Sequence, residues 1–487
     1  MTGFRKDASA SGANGGAIRA VSGAALIVSV LILCLFSECS TASQLRAFGS
    51  ILGEVGAALT DPGTQWMVFT CASAYFLVFV VLGSRLVVAR EDGGWGIADR
   101  VGIVQRRWGL APEAWLREPD YWVAGLIAVS ALAYTLDYPQ AVKSTQALTL
   151  LGGATLGQGA AVWALKSPKS KVQSPKSPAS TVMGVLIALL LAGAIWRTGI
   201  GQVFQYRGQA RWSGPWDNPN TFGVLMGAGA VLALGWVLRA WRMGNGKWQI
   251  SNLLRWLFTT LLVAAAGAMG VGLVKSYSRG AWVAVLVGLA YLAWQSRRSR
   301  GWQMANGKLW GMAAVIALLV IGFWSLRQAE GAIARRAYSI ANANDFSWRN
   351  RVAAYEGALA MLADKPWLGF GWNQPERVYT SLYCPAKVDE SMAIQLNDYF
   401  ILGTTLGVPA LVCFAMYVGL SLNPKSTAQR LKPGESKTTD FRLKTLDLAA
   451  VCRAGAVVLA VGFWFDGGLF KLATGATFWT LLELGRE

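Results

Sequence analysis

The chain contains no histidine. Histidine is the commonest general base near neutral pH and the commonest metal ligand, so its absence excludes Ser-His-Asp, Cys-His and HExxH chemistry. Cysteine is sparse as well. Cys34, Cys39, Cys71, Cys384, Cys413 and Cys452 show no CxxC spacing, and most lie in or beside apolar stretches where a buried thiol is the ordinary form. No metal site is expected. Acidic residues are few, 26 against 45 Lys and Arg, which leaves a net charge of +19. That excess does not point to nucleic acid, because the basic residues punctuate apolar runs instead of clustering on polar segments.

Apolar sequence is what the chain has in quantity. It is 54% hydrophobic over 487 residues with a mean hydropathy of +0.38, more than one soluble core of that size would bury. A bilayer takes up the excess. At about 20 apolar residues per crossing, spans are expected near residues 18–37, 65–83, 121–136, 145–165, 181–200 and 221–238. Six more are expected near 253–274, 281–294, 309–326, 398–420, 448–465 and 471–484. The expected fold is therefore an all-α, polytopic transmembrane helical bundle of about twelve spans. Residues 1–17 form a cytoplasmic tail, 18–326 carry spans one to nine, 327–397 form a large, partly helical outer loop before the antepenultimate span, and 398–485 carry the last three. The first apolar run is followed by no small-x-small cleavage site, so it is expected to stay as a span.

Lys and Arg concentrate in the connections expected to be cytoplasmic, and this sets the orientation. They include Arg85 to Arg117, the low-complexity Ser167–Pro178 linker, Arg239 to Lys247, Arg297 to Lys308, and Lys425 to Lys444. Both termini then lie inside. The stretch from Arg85 to Asp120 suits an amphipathic helix on the inner surface, with Trp95, Trp108 and Trp115 as interfacial anchors.

Arginines in the outer connections run against this bias and ask for a reason. Arg207 and Arg211 lead into Asp217, Asn218, Pro219 and Asn220, where Asn218 suits an N-cap and Pro219 the first helical position. The run from Lys275 through Ser278 and Arg279 stands in the same relation to the next span but one. Two helix N-termini with guanidinium groups beside them suit a diphosphate at the membrane surface. The alternative is that the arginines snorkel or pair with Asp217 and lipid phosphates. In the large outer loop a helix is expected over Ser347–Ala363, carrying Arg349, Arg351, Tyr355 and Glu356. A turn follows in Asp364 to Trp372, and the chain re-enters the membrane through Gln395, Leu396, Asn397 and Asp398.

Four stretches carry a resemblance to a known family: Arg211–Gly223 (RWSGPWDNPNTFG), Ser276–Gly288 (SYSRGAWVAVLVG), Arg349–Gly371 and Asn397–Pro409. In their order and shared outer placement they resemble the O-antigen ligase and polymerase superfamily. Residues 201–484 carry the motifs; the first five spans match in hydropathy alone. The resemblance implies transfer of a glycan from an undecaprenyl-diphosphate carrier to a lipid or glycan acceptor, without metal or cofactor, at the periplasmic face of a bacterial inner membrane. Membrane lipids are the remaining partners. It also implies that Arg211 and Arg279 bind the carrier diphosphate and stabilise it as a leaving group. Arg207, Asn218, Asn220, Ser278, Arg349, Arg351, Gln395 and Asn397 are expected to line the substrate site. The sequence departs from the ligase pattern at one point, where Leu396 stands in place of a His directly before Asn397. Acceptor activation then falls to a carboxylate, with Asp398, Glu356 and Asp389 available, or transferase activity has been lost. A polymerase is compatible with the same residues. A transporter would instead show broken helices and mid-membrane charges, whereas Arg197, Arg255 and Arg453 lie near the ends of their spans.

Overall fold

The computed structural model describes residues 119–137, 145–166, 178–199, 203–206, 209–216, 218–242, 252–298, 346–372, 374–384, 397–423 and 448–486. Helix dominates the described residues. Six helices come first: α1 (Pro119–Leu136), α2 (Thr145–Lys166), α3 (Pro178–Gly199), α4 (Pro219–Arg242), α5 (Asn252–Lys275) and α6 (Arg279–Arg298). The segment expected to be the large loop contributes α7 (Phe346–Asp364) and the short α8 (Pro375–Val378), and α9 (Asp398–Leu422), α10 (Leu448–Gly462) and α11 (Leu472–Leu484) complete the described set. Helices therefore stand close to the expected bounds of nine of the expected spans and of the helix expected over Ser347–Ala363. The spans expected at 18–37, 65–83 and 309–326, the inner-surface helix and most of the basic linker lie outside the described residues.

Three helical stretches, Pro219–Ala240, Trp256–Lys275 and Asp398–Leu422, are long and apolar enough to cross a membrane. They occupy different layers. The first is 78% buried and the second only 28%, so α4 is central and α5 turns Trp256, Leu257, Leu261 and Val271 outward, as a lipid-facing helix would. α4 packs on α5, α6 and α10, α1 on α9, and α2 on α11. Small residues set these approaches, since helices in a membrane gain from close contact instead of from exclusion of water. A Cβ at Gly157 would lie 2.7 Å from the Trp479 backbone, and one at Gly227 2.3 Å from Val285. A Cβ at Gly229 would lie 2.4 Å from Met269 and one at Gly153 2.7 Å from Trp479, whereas Gly152 faces nothing within 4 Å.

An all-α expectation needs one correction. Residues expected to be a loop form an antiparallel hairpin, β1 (Val203–Tyr206) with β2 (Gln209–Trp212), which pairs Phe204 with Arg211. Two four-residue strands are too short to show a convincing alternation in sequence.

A second departure lies in α9, which is broken. Gly407 has φ +82° and ψ 178°, and Pro409 follows. Proline lacks the amide proton that would continue the ladder. The freed groups are not left bare: Phe370 and Gly371 donate to the carbonyls of Thr404 and Thr405 at 2.7 and 3.0 Å, and Val408 donates to the Pro366 carbonyl at 2.7 Å. The turn after α7 thus plugs the break, which is how non-helical backbone is tolerated at membrane depth. On its other side the turn reaches α1, where the Trp372 amide donates to Asp137 at 2.9 Å and its indole donates to the Ser130 carbonyl. Burial raises the Asp137 carboxyl above its ordinary range, and the Trp372 bond works against that rise.

At the opposite end of the bundle, Arg486 pairs with Asp120 and with Glu483, and Glu483 also accepts from Tyr417. Arg453 donates to the Gly485 carbonyl. The start of α1 and the ends of α9 and α11 are tied together there, which fixes the helix directions relative to the site.

Candidate anion site at the helix termini

The first turn of α4 is built as its sequence implies. Asn218 Oδ1 accepts from the amides of Asn220 and Thr221 at 2.8 and 3.3 Å, with Pro219 opening the helix. Those amides were expected to face outward toward an anion. They are occupied by the cap instead, so any anion here would be held by side chains and by the helix dipole.

Arg211 supplies the first of these side chains. It is 7% exposed, donating from Nε to the Ser276 carbonyl at 2.9 Å and from Nη2 to Asn220 Oδ1 at 2.9 Å. Both acceptors are neutral, so these two bonds orient the guanidinium without cancelling its charge. The hairpin and the turn between α5 and α6 are thereby joined. That turn is tight: Tyr277 has φ +52°, a left-handed conformation costing about 1 kcal/mol or more in a non-glycine residue. Ser276 Oγ donates to the Leu273 carbonyl and accepts from the Ser278 amide. Ser278 then caps α6, with its Oγ accepting from Ala281 at 3.4 Å, and Arg279 is the first residue of the helix.

Two glycines allow the pieces to converge. A Cβ on Gly223 would lie 2.6 Å from Ser276 Oγ, and one on Gly280 would lie 2.4 Å from Phe465. The first turns of α4 and α6 therefore press against each other and against the turn that joins α10 to α11. The sequence motifs named above include no residue of that turn. In the fold, Asp466 Oδ2 lies 3.4 Å from Lys471 Nζ and 3.5 Å from Thr221 Oγ1, and Lys471 Nζ donates to Thr221 Oγ1 at 3.0 Å. Lys471 was expected as the opening residue of the last span; it sits at the N-cap position of α11. A signal was available in the sequence, namely a Lys five residues after an Asp on a short outer turn.

Asn397 and Asp398 complete the floor. Asn397 caps α9, accepting from the Tyr399 and Phe400 amides at 3.0 and 3.3 Å. Asp398 is wholly buried, and its Oδ2 accepts from the amides of Gly468 and Leu469 at 2.6 and 2.7 Å. Its own amide donates to the Phe463 carbonyl. Oδ2 is thus occupied in shaping the α10–α11 turn, while Oδ1 is buried with no hydrogen-bond partner among the described residues.

Other expected site residues are placed apart from this cluster or outside the described residues. Arg207, Asp217, Asp389 and Gln395 lie outside them. Arg349 and Glu356 are exposed on α7, and Arg351 is half-buried beside them. α7 meets the site region through Tyr355, whose hydroxyl donates to the Trp464 carbonyl at 3.4 Å. Its ring stacks against Phe400 and Trp464, with centroids 5.0 and 5.9 Å apart.

Residues 264–415 match the family model described as O-antigen ligase. The match covers less than half of the chain and likens that part of it to the O-antigen ligase superfamily. Arg279, Ser278, Asn397 and Asp398 fall inside the matched residues, while Arg211, Asp466 and Lys471 lie outside and are brought to them by the fold. The superfamily is one of membrane glycosyltransferases, ligases or polymerases of lipid-linked glycans. No curated protein matches the chain.

Proposed function

We propose that this protein is a member of the O-antigen ligase superfamily and transfers a glycan from an undecaprenyl-diphosphate carrier to a lipid or glycan acceptor at the periplasmic face of the bacterial inner membrane. The observation that carries this reading is the buried Arg211 guanidinium, held between Asn220 and the Ser276 carbonyl where the first turns of α4 and α6 meet. A guanidinium held at a fixed angle by its neighbours presents a planar set of donors that suits an anion such as a phosphate. The family resemblance supplies that anion as the carrier diphosphate, with Arg279 as its second cation.

In the proposed reaction the acceptor oxygen attacks the anomeric carbon. The bond from that carbon to the carrier phosphate breaks, its electron pair passes to the diphosphate, and the acceptor proton leaves to a phosphate oxygen or to water. Charge grows on the leaving group, where preorganised cations count most. Asp398 serves as a positioning residue for the α10–α11 turn. Asn218 and Ser278 cap the helices that frame the diphosphate, and Asn220 orients Arg211. The full bundle of about twelve spans and the outer placement of residues 327–397 belong to the same proposal.

Transporter activity is the competing reading that the broken α9 would favour. The carbonyls freed by that break are bonded to the turn at residues 366–371, however, and do not line an ion path. Binding of undecaprenyl diphosphate to the purified protein tests the proposal. Arg211→Ala and Arg279→Ala should each weaken binding at least tenfold and abolish transfer, at wild-type expression and insertion. Undiminished binding in both variants, or none in the wild type, would sink it.

A further inference from the structure

Lys471 belongs to none of the motifs that carry the family resemblance, yet the fold delivers it to the same helical turn as Arg211. Arg211 Nη2 holds Asn220 and Lys471 Nζ holds Thr221, the next residue along α4. The two cations therefore flank one turn from opposite elements, the hairpin and the α10–α11 connection.

The connection holds Lys471 firmly. Gly468 and Leu469 donate to the buried Asp398, Lys471 N donates to the Gly468 carbonyl at 3.2 Å, and Thr474 bonds the same carbonyl. Its ammonium is loosely engaged by contrast. At 3.4 Å the contact with Asp466 is longer than the 2.7–2.9 Å typical of a charge-assisted bond. Asp466 also faces the Thr221 hydroxyl at 3.5 Å, so its carboxylate is shared. An ammonium has three donors; Thr221 and Asp466 take two, and the third has no partner among the described residues. The side chain is 28% exposed, which leaves that donor reachable.

We propose that Lys471 is a third diphosphate-binding cation of this site, aimed by Asp466 and Thr221. The proposal rests on the carrier-diphosphate reading above and extends it. Lys471 adds a cation to Arg211 and Arg279 on the side of the site where a leaving group would gain negative charge as the sugar departs. A diphosphate spans more than one cation can cover, and this arrangement offers contacts from separate elements for its two phosphates.

The test compares undecaprenyl diphosphate with undecaprenyl monophosphate as probes, binding each to the wild type, Lys471→Met, Lys471→Arg and Arg211→Ala. Lys471→Met is expected to weaken diphosphate binding about tenfold while changing monophosphate binding little, so that discrimination between the two carriers collapses. Lys471→Arg should restore most of it. A purely structural role would lower both affinities together and would not be rescued, and that result overturns the proposal. Wild-type discrimination in Lys471→Met, alongside lost binding in Arg211→Ala, overturns it while leaving the carrier site intact. Failure of the wild type to bind either probe removes the carrier reading itself.

Discussion

At the scale of single residues, the site is a set of side chains aimed by hydrogen bonds from neighbouring elements. Arg211 is aimed by a carbonyl and an amide oxygen, and Lys471 by a hydroxyl and a carboxylate that faces two ways. Asp398 contrasts with both, since its Oδ2 is committed to two backbone amides. Asp398→Ala should leave the Gly468 and Leu469 amides without an acceptor and lower stability by about 2 kcal/mol or more. Asp398→Asn, which presents an oxygen to the same amides, should retain most of the difference. Thermal unfolding of the detergent-purified variants measures this; an alanine variant as stable as wild type would mean the carboxylate does not hold the turn. If Asp398 were instead the acceptor's base, Asp398→Asn would lose transfer while keeping carrier affinity.

At the scale of elements, the most consequential feature is the break in α9 and the turn that fills it. Gly407 combines a positive φ with a backbone neighbour, for a Cβ there would lie 2.4 Å from the Trp367 carbonyl oxygen. Gly407→Val should therefore push the residue 366–371 turn out of the break, at a cost of more than about 1 kcal/mol. Hydrogen exchange at the Phe370, Gly371 and Val408 amides should accelerate in that variant. Unchanged protection would show that these amides are held by something other than the docking described. The same docking explains why the outer segment approaches the site as it does: α7 runs into the plugging turn, and Tyr355 on α7 rests on Trp464, two residues before Asp466.

At the scale of the whole molecule, the helices place two chemically distinct ends apart. One end gathers Arg211, Arg279, Lys471 and Asp466; the other gathers Asp120, Arg453, Glu483 and Arg486. The proposed topology puts the first outside and the second inside. Cysteines introduced at Lys275 and at Asn423, both exposed and at opposite ends, check it in a chain whose six native cysteines are replaced. A membrane-impermeant thiol reagent added to intact cells, with the outer membrane permeabilised where there is one, should label position 275 and spare 423. The reverse pattern would invert the bundle and place the anion site on the cytoplasmic side.

By itself the sequence determined the nine helices described at expected spans, because long apolar runs are a local property that needs no partner. It also determined the cap at Asn218, since a short polar side chain before a helix bonds amides two and three residues away. The outer helix over Ser347–Ala363 was legible for the same reason, appearing as Phe346–Asp364. Only the tertiary structure decided that Asn218 consumes the amides an anion would otherwise use, that Asp398 is buried beneath the α10–α11 turn, and that Lys471 joins Arg211 at one turn of α4. These depend on contacts between residues up to 250 positions apart, which Gly223 and Gly280 permit by letting backbones approach where any side chain would hold them off.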